Sequence, residues 1–266
     1  MRSIGVIVLI IFCSCNPVKI KDFEKDYTQV LVGKVKTMTI KNYEYKFIKK
    51  DTTILAKTTV LQFDSHNNII YEKIVTEFDQ NEHNYKYDNG LLVETETVSN
   101  SKTSFTTYKY DENKNRIEEK SFDNKRVFAL KSLRFDKFKN PIEKRVSYFG
   151  KEKGITKIEY DYKNGVLTSK TIVDTFGIEM IGIKHFNKKG YIIRQPLSNL
   201  NKNEYFALEI DKKGNLTQKT FYRNDDSVIE TATYKNTYDK TGNILVRDRY
   251  LNGKLIEKTT YEITYY

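Results

Sequence analysis

The sequence predicts an all-β chain of repeated antiparallel β-hairpins that form a strongly twisted, curled sheet. Three observations predict it. An aromatic–acidic pair followed by a polar turn recurs at a nearly fixed interval. The residues flanking those turns alternate between apolar and polar, the period of a half-buried strand. No long window beyond the N-terminal segment carries a helical stripe. Composition agrees: 20 Tyr and 15 Phe dominate the aromatic residues and Trp is absent. Both favour strands and bury a large area.

The recurring marks are Phe63-Asp64, Tyr87-Asp88, Tyr110-Asp111, Phe135-Asp136, Tyr160-Asp161, Phe186-Asn187, Ile210-Asp211 and Tyr238-Asp239. Successive Asp or Asn positions lie 24, 23, 25, 25, 26, 24 and 28 residues apart. The turns after them read Asp88-Asn89-Gly90, Lys163-Asn164-Gly165, Lys189-Gly190, Lys213-Gly214-Asn215 and Thr241-Gly242-Asn243, with a further turn at Asn252-Gly253. Gly and Asn tolerate positive φ, and Asp bonds the turn backbone with its own side chain. Before the turns, Tyr108 and Tyr110 share a face, as do Leu133 and Phe135, Ile158 and Tyr160, and Leu208 and Ile210. After them, Ile142, Val146 and Tyr148 share a face, and so do Ile244, Val246 and Tyr250. Two strands per repeat give roughly sixteen, with a few more from Val30–Val60.

A lone hairpin is marginal in water, and no helix is expected to cover the apolar side. Twist accumulates from strand to strand, so a sheet this wide cannot stay flat. The expected outcome is a sheet curled on itself with Tyr, Phe, Ile, Leu and Val inside. Lysine on outward positions would guard any open strand edge. Stability is expected to accumulate repeat by repeat.

The unit resembles the YD repeats of Rhs-type bacterial proteins over about residues 60–266, best at Tyr238-Asp239-Lys240-Thr241-Gly242-Asn243-Ile244-Leu245. Phe186-Asn187 and Ile210-Asp211 depart furthest from it. Gly33-Lys34-Val35-Lys36-Thr37-Met38, followed by Tyr43 and Tyr45, is similar to the opening of repeat-bearing lipoproteins of the Bacteroidota. In large Rhs proteins such repeats form a spiralling sheet around a cargo. The resemblance implies the same hairpin sheet here in a much shorter array. The repeats run nearly to Tyr266, so no toxin-like C-terminal domain is expected.

The N-terminal segment points to a compartment. Arg2 precedes the apolar run Ile4–Phe12, far shorter than the roughly twenty residues of a bilayer-spanning helix. It fits the apolar region of a signal peptide. Phe12-Cys13-Ser14-Cys15 resembles the lipobox of bacterial lipoproteins. Ser14 is small and Phe12 is not, which makes Cys15 the lipidated residue rather than Cys13. The expected organisation is a lipoprotein signal peptide over 1–14, a tether over 15–26 and the repeat domain over 27–266. Both Cys lie in the leader region, so the chain after Cys15 has no disulfide, thiol nucleophile or thiolate metal site. The acyl chains on Cys15, palmitate among them, would hold the protein to a membrane. Asn16–Lys21 lacks the acidic cluster resembling a surface-export signal, so a periplasm-facing position on the outer membrane is expected.

The net charge of +11 raises the question of an anionic partner. The 46 Lys and Arg are interleaved with 35 Asp and Glu, which reads as a solvated face; nucleic acid is not an expected partner. The three His are His66 in a turn, His83 in a polar stretch and His185 beside Phe186, and no metal set converges on them. Asp111-Glu112-Asn113-Lys114-Asn115 begins like a calcium loop, but Arg116 and Phe122 stand where an EF-hand needs Gly and Glu. Asp225-Asp226 reads as a solvated pair, and Asn215-Leu216-Thr217 as another hairpin turn. No nucleophile elbow, phosphate loop or dinucleotide fingerprint occurs. Most of Tyr85, Tyr87, Tyr108, Tyr110, Tyr160, Tyr162, Tyr234 and Tyr238 are expected in the core. The sequence thus predicts no catalytic, cofactor or metal residues. It predicts a non-catalytic envelope lipoprotein, a binding or structural module whose glycan or protein partner it does not identify. An envelope glycan- or lipid-acting enzyme and a toxin-associated accessory or immunity protein are the alternatives.

Overall fold

The structure, a computed structural model, describes residues 31–46, 52–163, 166–175, 178–187, 192–196 and 204–266. Cys15 and the tether lie outside them. Eighteen strands follow in chain order. The first six are β1 (Val35–Lys46), β2 (Thr52–Phe63), β3 (Ile69–Thr76), β4 (Gln80–Asp88), β5 (Leu91–Ser99) and β6 (Lys102–Tyr110). The next six are β7 (Arg116–Asp123), β8 (Arg126–Phe135), β9 (Pro141–Tyr148), β10 (Lys151–Lys163), β11 (Val166–Thr175) and β12 (Ile178–Phe186). The last six are β13 (Ile192–Pro196), β14 (Glu204–Ile210), β15 (Leu216–Arg223), β16 (Val228–Tyr238), β17 (Ile244–Leu251) and β18 (Lys254–Tyr265). Each pairs antiparallel with its chain neighbours, and β1 also pairs with β18 from Val35↔Tyr265 to Glu44↔Glu257. The expected all-β hairpin array is present, but it is not an open curled sheet. It closes into an up-and-down barrel. Closure gives every strand two partners and removes the exposed edges that a curled sheet would keep.

The register assigns the two walls. Thr59↔Ile40, Leu61↔Met38 and Ile40↔Tyr261 set one face of β2, β1 and β18, and these residues are buried. That face is the inner wall. Followed strand by strand, it passes through Glu72↔His83, Thr95↔Thr106, Tyr108↔Glu119 and Glu119↔Lys131. It returns through Lys219↔Ala232, Tyr234↔Arg249 and Arg249↔Glu257. The expectation of an oily interior therefore holds only locally. Eighteen strands at about 4.8 Å spacing and about 40° tilt give a circular cross-section roughly 35 Å across, too wide for inward side chains to fill. A lumen that stays wet accepts polar side chains.

The aromatic marks have a single structural role. Phe63, Tyr87, Tyr110, Phe135, Tyr160, Phe186, Ile210 and Tyr238 are each the last inner-wall residue before one rim, except that β10 runs on to Lys163. Together they form a collar inside that mouth. The tyrosines reach back one hairpin: Tyr87 Oη donates to the Ile69 carbonyl at 3.0 Å, Tyr110 Oη to Leu92 at 2.9 Å and Tyr160 Oη to Pro141 at 2.7 Å. The repeat length is thus the path of one strand up, one strand down and back to the neighbouring rung.

The acidic member of the mark builds the turn. Asp64 Oδ1 accepts from the Asn68 and His66 amides at 2.9 and 2.8 Å, and Oδ2 accepts from Asn68 Nδ2 at 2.9 Å. Asp111–Asn115 and Asp211–Asn215 repeat the same side-chain pairing. The fourth residue of each loop has positive φ, as at Lys114 (62°) and Gly242 (103°), and a bulge follows. This is the turn-plus-bulge hairpin loop. The bulge shifts the facing of the strand that follows. Ile244 therefore pairs with Tyr238 on the inner wall, whereas Val246 pairs with Thr237 on the outer wall. The expected common face of Ile244 and Val246 is broken there.

The chain entering β1 seals the ring. Val32 N–H donates to Asn243 Oδ1 and Asn243 Nδ2 donates back to the Val32 carbonyl, both at 2.8 Å. Two strands away, Val35 N–H donates to Asn67 Oδ1 at 2.9 Å and Asn67 Nδ2 to the Gly33 carbonyl at 2.8 Å. Beneath this double latch lies the core cluster of Val35, Met38, Ile40, Leu61, Phe63, Ile244 and Tyr261. At the other end of the chain, Tyr265 Oη donates to Asp239 and Tyr266 Oη to the Phe63 carbonyl at 2.5 Å. Asn243 is 4% exposed and bonds the Val32 backbone twice and the Tyr265 hydroxyl once. Asn243→Ala is therefore expected to cost about 2–4 kcal/mol, from several lost bonds and the orphaned buried groups. Asn115→Ala, which loses only its pairing with Asp111, should cost less. Urea unfolding of both variants checks the ordering.

The same loops set the acid limit. Burial alone would raise the Asp64, Asp211 and Asp239 carboxyls. Hydrogen bonds from Asn68, from the Asn215 backbone and side chain, and from Tyr265 with the Asn243 amide outweigh it and hold each below its ordinary 3.8. A depressed carboxyl stabilises the fold above its unfolded value, and that share is lost as pH falls through the folded value. Stability should therefore fall as pH drops below about 3.8. Circular dichroism from about pH 6 to pH 2 tests this, with Asp211→Asn and Asp239→Asn expected to flatten the acid limb.

Candidate functional site

Two places in the barrel present chemistry that the repeat does not consume. The first is on the inner wall of β16, β17 and β18. Arg247 and Arg249 sit two apart on β17 and project to the same side. Their rungs run Asn42–Thr259–Arg247–Asn236 and Glu257–Arg249–Tyr234 across four strands. Tyr234, Arg247, Arg249, Glu257 and Thr259 line a cleft of about 220 Å³. Arg247 Nε donates to Asn236 Oδ1 at 3.1 Å, Arg249 Nη1 to Glu257 Oε2 at 3.2 Å and Asn42 Nδ2 to Thr259 Oγ1 at 3.0 Å. Arg249 Nε and Asn42 Oδ1 are shielded from solvent and have no hydrogen-bond partner.

Lys219 extends the positive charge. Opposite it stands Ala232, so its Nζ lies over the rings of Phe206 and Phe221 at 4.1 and 4.8 Å. Burial and then the positive charge of Arg249 push its pKa below the ordinary 10.5. Three cations thus gather on one inner wall. Glu257 pairs with Arg249, while Glu44, its neighbour on β1, is exposed.

The second place is the rim opposite the collar. Among the described residues, nine of the fourteen exposed large apolar side chains lie there: Ile54, Leu55, Phe78, Phe105, Val127, Tyr148, Phe149, Val228 and Ile229. Its hairpins are mostly two-residue turns with both central φ positive, at Asn100-Ser101, Asn124-Lys125, Phe149-Gly150 and Asn252-Gly253. Asn tolerates that conformation. Phe149, at φ 50° and 71% exposed, bears its strain without burying its ring.

The sequence-singled residues fall as follows. Cys15 is outside the described residues. His66 is an exposed turn residue, as expected. His83 is in β4 on the inner wall, 2.9 Å from Thr97 Oγ1. His185 is in β12, its pKa lowered by burial and then by Arg194. No group of three metal-ligating side chains occurs among the described residues. Asp111 and Asn115 are occupied by each other. The Asp225-Asp226 pair is exposed, as expected, and bonds its surroundings: Asp225 accepts the Ser227 amide and Asp226 the Tyr205 hydroxyl at 2.6 Å. Asp64, Asp111, Asp136, Asp211 and Asp239 each bond the backbone of their own loop. Most of the singled tyrosines are half-buried collar or lumen residues rather than a packed core. Arg247 and Arg249 were legible only as two cations at strand spacing, a pattern that marks many solvated faces.

Neither wall carries an apolar belt among the described residues. The outer wall bears cross-strand ion pairs: Lys41–Glu262, Lys73–Glu82, Lys109–Glu118 and Arg134–Glu143. The inner wall bears Glu119–Lys131 and Arg249–Glu257. A lipid-facing wall needs an apolar band about 25 Å tall, and each Lys or Arg at mid-membrane costs about 2–4 kcal/mol.

No protein-family model matches the chain, and no curated protein matches it. Among solved structures it is similar to a porin-like protein from Bacteroides uniformis ATCC 8492, at 13% identity and a TM-score of 0.47, covering 88% of this chain and 98% of the other. A porin-like protein from Bacteroides vulgatus ATCC 8482 follows at 12% identity and a TM-score of 0.27, covering 85% and 97%. At such identities and scores the likeness carries no functional argument.

Phe149→Asn is expected to stabilise the barrel by about 1 kcal/mol, since Asn adopts positive φ at little cost. Guanidinium unfolding reads the change. A loss of stability instead would mean that the ring packs on the rim.

Proposed function

We propose that the chain is a non-catalytic lipoprotein of the cell envelope, held to the outer membrane by acyl chains on Cys15, with its barrel standing in water as a binding module. The charge on both walls carries this reading. A barrel whose outer face is laced with lysine–glutamate pairs is solvated where a pore would meet lipid. Membrane attachment then falls to the N-terminal lipid, which the leader and Ser14-Cys15 supply. A wet lumen with a collar at one mouth and an apolar rim at the other suits capture of a partner rather than chemistry, because the Asp of each mark is spent on its own turn. The YD-like repeats supply the scaffold, and the barrel faces the periplasm.

The soluble piece 27–266 is expected to be monodisperse without detergent and to stay out of liposomes. The full chain should sediment with membranes, incorporate labelled palmitate and lose both properties in Cys15→Ala. A piece that needs detergent or conducts ions across planar bilayers would make the barrel membrane-spanning. A Cys15→Ala chain that still sediments would remove the lipid anchor.

A further inference from the structure

We propose that the cleft lined by Arg247 and Arg249 binds a small ligand through an oxyanion, a carboxylate or a phosphate. The inference rests on the binding-module reading and names the chemistry of its ligand. Two guanidinium groups on one strand, two residues apart, line one cleft of the lumen wall, Arg247 held by Asn236 on one side and Arg249 by Glu257 on the other. A planar two-oxygen group matches a guanidinium fork bidentately, and arginine suits this geometry better than lysine. Arg249 Nε is shielded from water with no partner. An N–H shielded from water without an acceptor is costly, and an oxyanion in the cleft would satisfy it. Lys219 adds a third positive charge, half removed from water between two phenyl rings. Charge in such a setting is less screened than on an open surface.

The remaining lining fixes size and orientation. At about 220 Å³ the cleft is smaller than the roughly 300–1,000 Å³ of a drug-sized pocket. It takes an anionic group on a small body. Tyr234 offers a flat apolar wall and Thr259 and Asn42 a polar floor. Glu257 now holds Arg249 Nη1 at 3.2 Å, so it occupies a donor that the ligand would use. This makes an unusual requirement: removing Glu257 must tighten binding, whereas removing either arginine must weaken it. A purely structural ion pair would show the opposite for Glu257, since its loss would only disorder the wall.

The piece 27–266 is titrated by calorimetry with inorganic phosphate, glucuronate and uncharged glucose, with sodium chloride at matched ionic strength. Binding of phosphate or glucuronate, with none of glucose, is expected. Phosphate alone or glucuronate alone tells which oxyanion is preferred. Arg249→Gln and Arg247→Gln should weaken it about tenfold or more, and Glu257→Gln should tighten it. Urea midpoints without ligand establish that the variants are folded. Heat equal to that of chloride, binding unchanged in both arginine variants, or weaker binding in Glu257→Gln overturns the site. A piece that proves detergent-dependent would instead overturn the binding-module reading beneath it. A soluble piece that binds no anion overturns this inference alone.

Discussion

The pairing of the first strand with the last is the interaction on which the rest of this structure depends. Seventeen pairings between chain neighbours, from β1–β2 to β17–β18, make only a ribbon. The eighteenth, between Val35–Glu44 and Glu257–Tyr265, makes a container. It is the pairing between segments most distant in sequence, so it carries the largest loop-closure cost. The chain concentrates its buried apolar residues there. Asn67 and Asn243 each use one side chain to replace a missing strand neighbour for the entering backbone. Val35, Met38, Leu61, Ile244 and Tyr261 exclude water beneath them. Elsewhere the walls are held by ladders and cross-strand pairs with far less burial.

Closure also decides what the interior can be. A ring of this many strands is wider than two layers of side chains, so the inner wall meets water over much of its height. Inward positions tolerate glutamate, lysine and arginine, and an anionic or cationic ligand can be met by paired charges without burying them deeply. The collar of marks narrows one mouth. The opposite mouth carries the exposed apolar tips, and the arginine cleft lies nearer to it, on the second half of β17. The cleft and the apolar tips thus fall toward one end, and the chain enters β1 at the other.

A barrel wall in water and one in lipid differ in the chemistry of their outward side chains. Strand number and connectivity do not distinguish the two; the chemistry of alternate residues does. Lysine and glutamate facing one another across β3–β4 and β6–β7, and arginine and glutamate across β8–β9, favour water by their solvation. Exposed pairs of this kind add little stability. Charged side chains along a strand also disfavour pairing with other strands.

The sequence by itself determined the local facts. The interval between Asp64 and Asp239, the alternation around Tyr108-Tyr110 and Leu133-Phe135, and the turn glycines and asparagines determined hairpins, their number and one rim, because these depend on neighbours along the chain. Only the tertiary structure decided closure, since nothing in Val35–Lys46 announces that its partner is Lys254–Tyr265. Only the structure showed that bulges after the marks shift the facing, sending Val246 outward and leaving Arg247 and Arg249 on the inner wall. A bulge adds one residue to one strand, and its effect on facing is set by the partner strand rather than by local sequence. For that reason the turns were readable and the cleft was not.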